Sequence, residues 1–338
     1  MFIIFILYIF NFFDFTLSFS NIPIYRQWNP IAICNNNNFI DNKPFKFNVG
    51  DIPLVAWKSN NTIISTLNIC KHMGSKLDNG IICNGNLICP YHGLKHNIDD
   101  SCGIIKKYDG KLWWSYNPVT NSPPTIPFNL PNYKTSYLQI DMDESLPFCI
   151  YNSLDINHPE FVHNGLGFGS DQSPENYKTF YSINKTAISF DYVTKDSIKA
   201  INYDMNINNK TLNYNEVIYP LTSWSKVSSN NDIHKNIIIG VSMLPLKENL
   251  TRWFITIRHN YMTNFIGQQI MIQATKYILN QDKQQFLKQN SDEKLKKFMC
   301  WKKNLRFENH MSYLREYYEN YKYPTLDDFI KELSNDKW

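Results

Sequence analysis

Cys70-Lys71-His72-Met73-Gly74 and Cys89-Pro90-Tyr91-His92-Gly93, with sixteen residues between His72 and Cys89, decide how the rest of the chain is read. Each segment brings one thiolate and one imidazole, as C-x-H in the first and C-x-x-H in the second, and each closes on a glycine. A glycine there lets the loop turn tightly and aim backbone N–H groups at a sulfur held inside it. The two segments together read as a four-donor metal site built from two hairpin-like loops.

Two metals suit two cysteines and two histidines. Structural zinc accepts the set, but zinc sites usually pair Cys with Cys and His with His along the chain. A [2Fe–2S] cluster of the Rieske type needs the mixed pairing, because two thiolates hold one iron and two imidazoles replace thiolates on the other. The mixed loops favour the iron cluster, with Cys70, His72, Cys89 and His92 as its ligands. Respiratory-chain Rieske proteins add a cysteine to each loop and join them by a disulfide; here those places hold Ser75 and Tyr91, which favours the oxygenase and ferredoxin branch. Cys83 and Cys102 lie close in sequence and read as small buried hydrophobes.

The surroundings fit a small all-β domain over residues 22–117. Short strand-like runs are broken by Asn35 to Asn38, Asn60-Asn61, Asp78-Asn79-Gly80, Asn84-Gly85 and Asp109-Gly110. A Pro-rich stretch, 118–131, with Pro123-Pro124 inside it, suits a stiff linker. Residues 132–338 mix β-like alternation, as in Ile237 to Val241 and Trp253 to Ile257, with helical patterns from about Gly267 to Gln289 and from Pro324 to Leu333. The expected fold class is therefore α+β.

Within 338 residues two domains fit comfortably. The formal charge of +4 is spread without a basic run, so nucleic acid is not an expected partner. The odd count of seven cysteines argues against a secreted disulfide framework. Residues 1–20 are mostly apolar, interrupted by Asn11 and Asp14, and read as a hydrophobic leader or membrane anchor, with Asp14 near mid-span as the objection. No Gly-rich phosphate cradle is encoded, so electrons are expected from another protein.

A second constellation follows the linker: Asn152-Ser153-Leu154-Asp155-Ile156-Asn157-His158-Pro159-Glu160-Phe161-Val162-His163. On a regular helix five residues turn through about 500°, which would separate His158 from His163. Pro159 disfavours helix at the residue before it, so His158 is expected at a cap, from which both imidazoles can converge. Two imidazoles with one carboxylate and open positions make the facial triad of O2-activating Fe(II). Asp282 is the chosen carboxylate, on a helix whose apolar neighbours face the core, and Glu160 is the local competitor. His96, His234, His259 and His310 show no partner pattern and read as structural.

These residues resemble the Rieske non-haem iron oxygenases, and within them the branch containing pheophorbide a oxygenase. The likeness covers Trp28 to the C-terminus. It includes Asn152-x-x-Asp155-x-x-His158, Phe161-Val162-His163-Asn164-Gly165, Asp282-x-x-x-Phe286-Leu287-x-Gln289, and Tyr323-Pro324-Thr325-x-Asp327. The resemblance implies a helix-grip (START/Bet v 1-like) catalytic domain, iron ligation by His158, His163 and Asp282, and a ring-shaped trimer. It makes Asp155 the catalytic bridge between His158 and the cluster ligand His92 of a neighbouring subunit. It further implies an external ferredoxin or reductase, O2, and a hydrophobic ring substrate such as a tetrapyrrole of the chlorophyll type. A sterol-type monooxygenase or desaturase, or an electron carrier without oxygenase activity, would use the same motifs. The C-x-x-C pair of some branch members is missing, Cys300 standing alone. By location the chain is expected at a membrane through residues 1–20, otherwise in a plastid-like or soluble intracellular setting.

Overall fold

The computed structural model describes residues 22–34, 43–127, 129–154, 158, 162–163, 177–188, 193–204, 212–218, 221–229, 232–288 and 321–335. The leader, the Asn35 to Asn38 run, Asp155, Glu160, Cys300 and His310 lie outside the described residues.

The first half is all β, as its composition and turn spacing predict. Strands β1 (Asn29–Ile33), β8 (Ile104–Tyr108) and β9 (Lys111–Ser115) form one antiparallel sheet in the order β1-β9-β8. Strands β2 (Phe45–Val49), β3 (Ile52–Ser59) and β4 (Thr62–Leu67) form a second, and β5 (Ile81–Cys83), β6 (Asn86–Ile88) and β7 (Lys95–His96) a third. Two-residue turns set the register. Cys83 pairs with Asn86 and Tyr108 with Lys111, so Asn84-Gly85 and Asp109-Gly110 are the whole loops. All four turn residues have positive φ, the geometry that matches strand twist. Strand β3 is buried along most of its length, with Leu54, Val55, Ala56 and Trp57 in the core.

In the second half one antiparallel sheet runs through β10 (Lys134–Met142), β16 (Leu250–His259), β15 (Asp232–Lys247), β14 (Thr222–Ser229), β13 (Leu212–Ile218), β12 (Val193–Asp204) and β11 (Tyr177–Ile188), hydrogen-bonded in that order. Helix α1 (Leu146–Leu154) and the long helix α2 (Phe265–Lys288) accompany it. On α2 the buried residues are Gly267, Met271, Thr275, Leu279, Asp282 and Phe286, three or four apart, which is one stripe of a helix. Phe286 meets Trp253 of β16 and Phe148 of α1 edge-on, at 6.4 and 6.0 Å between ring centroids. The result is an α+β, helix-grip arrangement, and Asp282 belongs to its buried seam.

Segment 118–131 contains no helix or strand among its described residues, yet it is held firmly to the second sheet. Ile126 is buried over Gly240, where a Cβ would come within 2.7 Å of it. Arg258 donates to the carbonyls of Ile126 and Pro127. The C-terminal helix α3 (Leu326–Asn335) packs on the first half instead, with Phe329 edge-on to Tyr25, Trp114 and Tyr116 at 5.2, 6.1 and 5.2 Å. Among the described residues no helix is long and apolar enough to cross a membrane.

Candidate metal centres

The two cysteine loops fold alike although their spacings differ. In the first, the Cys70 N–H donates to the Ser75 carbonyl at 2.8 Å and the Gly74 N–H to the Cys70 carbonyl at 2.9 Å. In the second, the Cys89 N–H donates to Leu94 at 2.9 Å and the Gly93 N–H to Cys89 at 3.0 Å. Each glycine therefore sits four residues after its cysteine, at φ of +72° and +71°. Side chains rarely adopt that backbone, which explains why both loops end their turn on glycine.

The loops pair like with like: Cys89 lies within hydrogen-bonding reach of Cys70, and the His72 and His92 rings face each other edge-on. Cys70 and Cys89 are buried and free of disulfides, while His72 and His92 are exposed, with ring centroids 4.8 Å apart. Burial opposes ionisation of Cys89, but the backbone N–H groups of Tyr91 and His92, together with Cys70 and Ser75, outweigh it and hold the thiol below its ordinary pKa. N–H groups already directed at a thiolate are what a bound [2Fe–2S] cluster requires of its protein. Buried thiols on one side and exposed imidazoles on the other would put the histidine-bound iron nearest the surface.

The second centre gathers His158, His163 and Asp282, whose donor atoms all lie within 4.8 Å of one another. Asp282 Oδ1 is 3.4 Å from His158 Nε2 and 3.5 Å from His163 Nε2, and the two rings are 5.1 Å apart. Those separations are long for hydrogen bonds. Asp282 Oδ1 is buried and accepts no hydrogen bond, a costly arrangement that a cation at the centroid of the three donors would relieve. Burial, aided by the charge of His158 and opposed by Asp282 and Gln281, keeps His163 below the usual histidine pKa. A neutral imidazole is the form that binds metal.

His158 is itself helical, as is Val162, so the cap expected at His158 is not what the structure shows. The rings converge all the same, and the competitor Glu160 and the bridge Asp155 fall outside the described residues. One participant went unforeseen: Gln281 places its side-chain oxygen 3.3 Å from His163 Nδ1. Its position next to Asp282 in sequence was the available signal.

Two minor expectations divide. Cys102 is buried and its thiol is pushed up to about 12 by burial, as a small core residue should be. Cys83 is exposed at the end of β5, because the two-residue turn that follows it projects into solvent, and so is not a core residue. His96 and His259 are buried, the latter with Nδ1 2.7 Å from the Tyr261 carbonyl, and His234 is exposed.

Comparison with known proteins sorts the chain first by class. Residues 29–111 match the family model of the Rieske [2Fe-2S] domain, and the two donor sets fit a Rieske cluster in the first half and a mononuclear iron in the second. More particularly, the chain is 27% identical over 151 residues, 37% of its length, to the oxygenase component of dicamba O-demethylase from Stenotrophomonas maltophilia. It is 27% identical over 123 residues, 30% of its length, to the oxygenase component of 3-ketosteroid-9-alpha-monooxygenase from Rhodococcus rhodochrous. The matched stretches span 44% and 31% of those relatives, less than half of each. The crystal structure of dicamba monooxygenase bound to dicamba superposes over 88% of this chain and 97% of that one, with a TM-score of 0.65 at 16% identity. That likeness establishes the fold across both halves.

Proposed function

We propose that this chain is the oxygenase component of a Rieske non-haem iron system, which uses O2 and electrons from a separate ferredoxin or reductase to oxygenate a small hydrophobic ring substrate. The observation that carries the reading is the buried, unpartnered Asp282 Oδ1 facing two imidazole Nε2 atoms, in a chain whose other half carries the mixed Cys/His loops. When bound, the cluster supplies one-electron storage and the single iron supplies O2 activation.

The chain's own residues do the rest. Cys70 and Cys89 with His72 and His92 hold the cluster; His158, His163 and Asp282 hold the single iron and leave positions open. Asp282 and His163 are buried, and burial lowers the His163 pKa, which favours the neutral, ligating imidazole. Asp155 is proposed to accept the N–H of His158 and to join it to His92 of a neighbouring subunit in a trimer, fixing the tautomer of the ligating ring. By the names of the relatives, one acts on dicamba and another on a 3-ketosteroid, so rings of one to four fused cycles form the first substrate set. The motifs shared with the pheophorbide a oxygenase branch add chlorophyll-type tetrapyrroles to it.

The test is turnover with a surrogate ferredoxin and its reductase across that set. His158→Ala and Asp282→Ala should each abolish substrate-dependent O2 uptake while the visible spectrum of the Rieske cluster persists. Undiminished oxygenation in both variants would remove the site from the reaction.

A further inference from the structure

We infer that Gln281 is a positioning residue, whose side-chain carbonyl accepts the Nδ1–H of His163 and so leaves the Nε2 lone pair facing Asp282. The inference rests on the reading of His158, His163 and Asp282 as a mononuclear iron site, and deepens it.

A neutral imidazole carries one N–H and one lone pair, and a buried ring must match both to its surroundings. The side chain of His163 is buried, with Nε2 directed at Asp282 Oδ1 at 3.5 Å and Nδ1 at Gln281 Oε1 at 3.3 Å. If the proton sat on Nε2, it would point at the carboxylate and the ring could not ligate from that side. With the proton on Nδ1 it meets the Gln281 oxygen, and the lone pair points where a metal shared with Asp282 must lie. The carboxamide therefore selects the ligating tautomer.

Placement on the helix gives the arrangement its rigidity. Gln281 and Asp282 are consecutive on α2, whose rotation is fixed by the buried stripe of Leu279, Asp282 and Phe286. One helical turn thus presents the carboxylate to the metal side of the ring and the acceptor to its far side. Any shift of α2 moves both together. A carboxamide also orients the ring without adding a second negative charge beside Asp282.

The test is Fe(II) binding to the anaerobic holo-protein carrying its cluster, followed by titration against a chelator and by EPR of the nitric oxide adduct. Gln281→Leu removes the acceptor and should weaken Fe(II) binding about 10- to 100-fold and alter the nitrosyl signal, with the cluster spectrum unchanged. Gln281→Glu restores an oxygen acceptor and should bind close to wild type. Wild-type affinity and an unchanged nitrosyl signal in Gln281→Leu would overturn the inference, and so would equal weakening in both variants, which would mark a packing role. If the wild-type chain takes up no Fe(II) beyond the cluster's iron, the underlying reading fails with it. If wild type binds, Asp282→Ala does not, and Gln281→Leu matches wild type, only the Gln281 role fails.

Discussion

At the scale of single residues, the two loop glycines show how little side-chain chemistry a cluster site needs once its backbone is set. Gly93 has φ +71° and open space around the position a Cβ would take, so the whole cost of Gly93→Ala is backbone strain. That strain is about 1–2 kcal/mol, and denaturant unfolding should report it with the cluster still assembling. Lys111 provides a second test. It is fully buried, with Nζ 2.5 Å from Thr256 Oγ1, and burial lowers its pKa to about 8 despite Asp109. Because the folded pKa lies below the unfolded one, the unfolded chain binds more protons between those two values, and stability rises with pH there. The charged lysine costs the fold on the order of 3 kcal/mol below pH about 8, and the cost fades by about 10.5. The stability difference between Lys111→Met and wild type should therefore be flat below pH 8 and shrink above it; a pH-independent difference would contradict the assignment. The Rieske domain was legible because C-x-H and C-x-x-H are local in sequence. Gln281 was not, because the atom it orients lies 118 positions away.

Among the elements, helices were legible as stripes and illegible as partners. The spacing from about Gly267 to Gln289 predicts the long helix, which runs Phe265–Lys288 with Asp282 on its buried side, since 3.6-residue periodicity needs no tertiary information. Helix α1 was missed: only nine residues long, it carries too few apolar repeats to stand out, and Pro147 near its start reads equally as a turn. The docking of α3 on the opposite half could not be read either, because an amphipathic stripe does not name the surface that covers it. Here Phe329 fills a cage of Tyr25, Trp114 and Tyr116, while Tyr323 donates to Asp51 and the Asp51 N–H donates to the Pro324 carbonyl. The C-terminus thus closes over the cluster-bearing half. Phe329→Ala should cost about 3–5 kcal/mol, read by thermal or denaturant unfolding. A loss below about 1 kcal/mol would show that α3 rides on the surface without supporting it.

On the scale of the whole molecule, the two halves are joined by contacts that neither the turn pattern nor the helical periodicity specifies. The seam includes Arg258 of β16, which pairs with Asp109 of the first half and caps the linker carbonyls at Ile126 and Pro127, and Lys111 of β9, which donates to Thr256 of β16. Such long-range ion pairs are invisible in sequence, since each partner alone reads as a surface charge. The proposed trimer carries its own test. Oligomers formed by mixing a His72→Ala chain with an Asp282→Ala chain should regain substrate-dependent O2 uptake that neither variant shows alone, because the intact cluster of one subunit would face the intact iron site of its neighbour. No recovery in verified mixed oligomers would confine electron transfer to one chain.

The most direct measurement is iron and acid-labile sulfide per chain, with EPR, for wild type and Asp282→Ala prepared anaerobically in parallel. Wild type should hold two sulfides and three irons, and the variant the same sulfide with one iron fewer and an unchanged reduced-cluster signal. Wild-type protein without acid-labile sulfide, or a variant that keeps all its iron, would contradict this expectation.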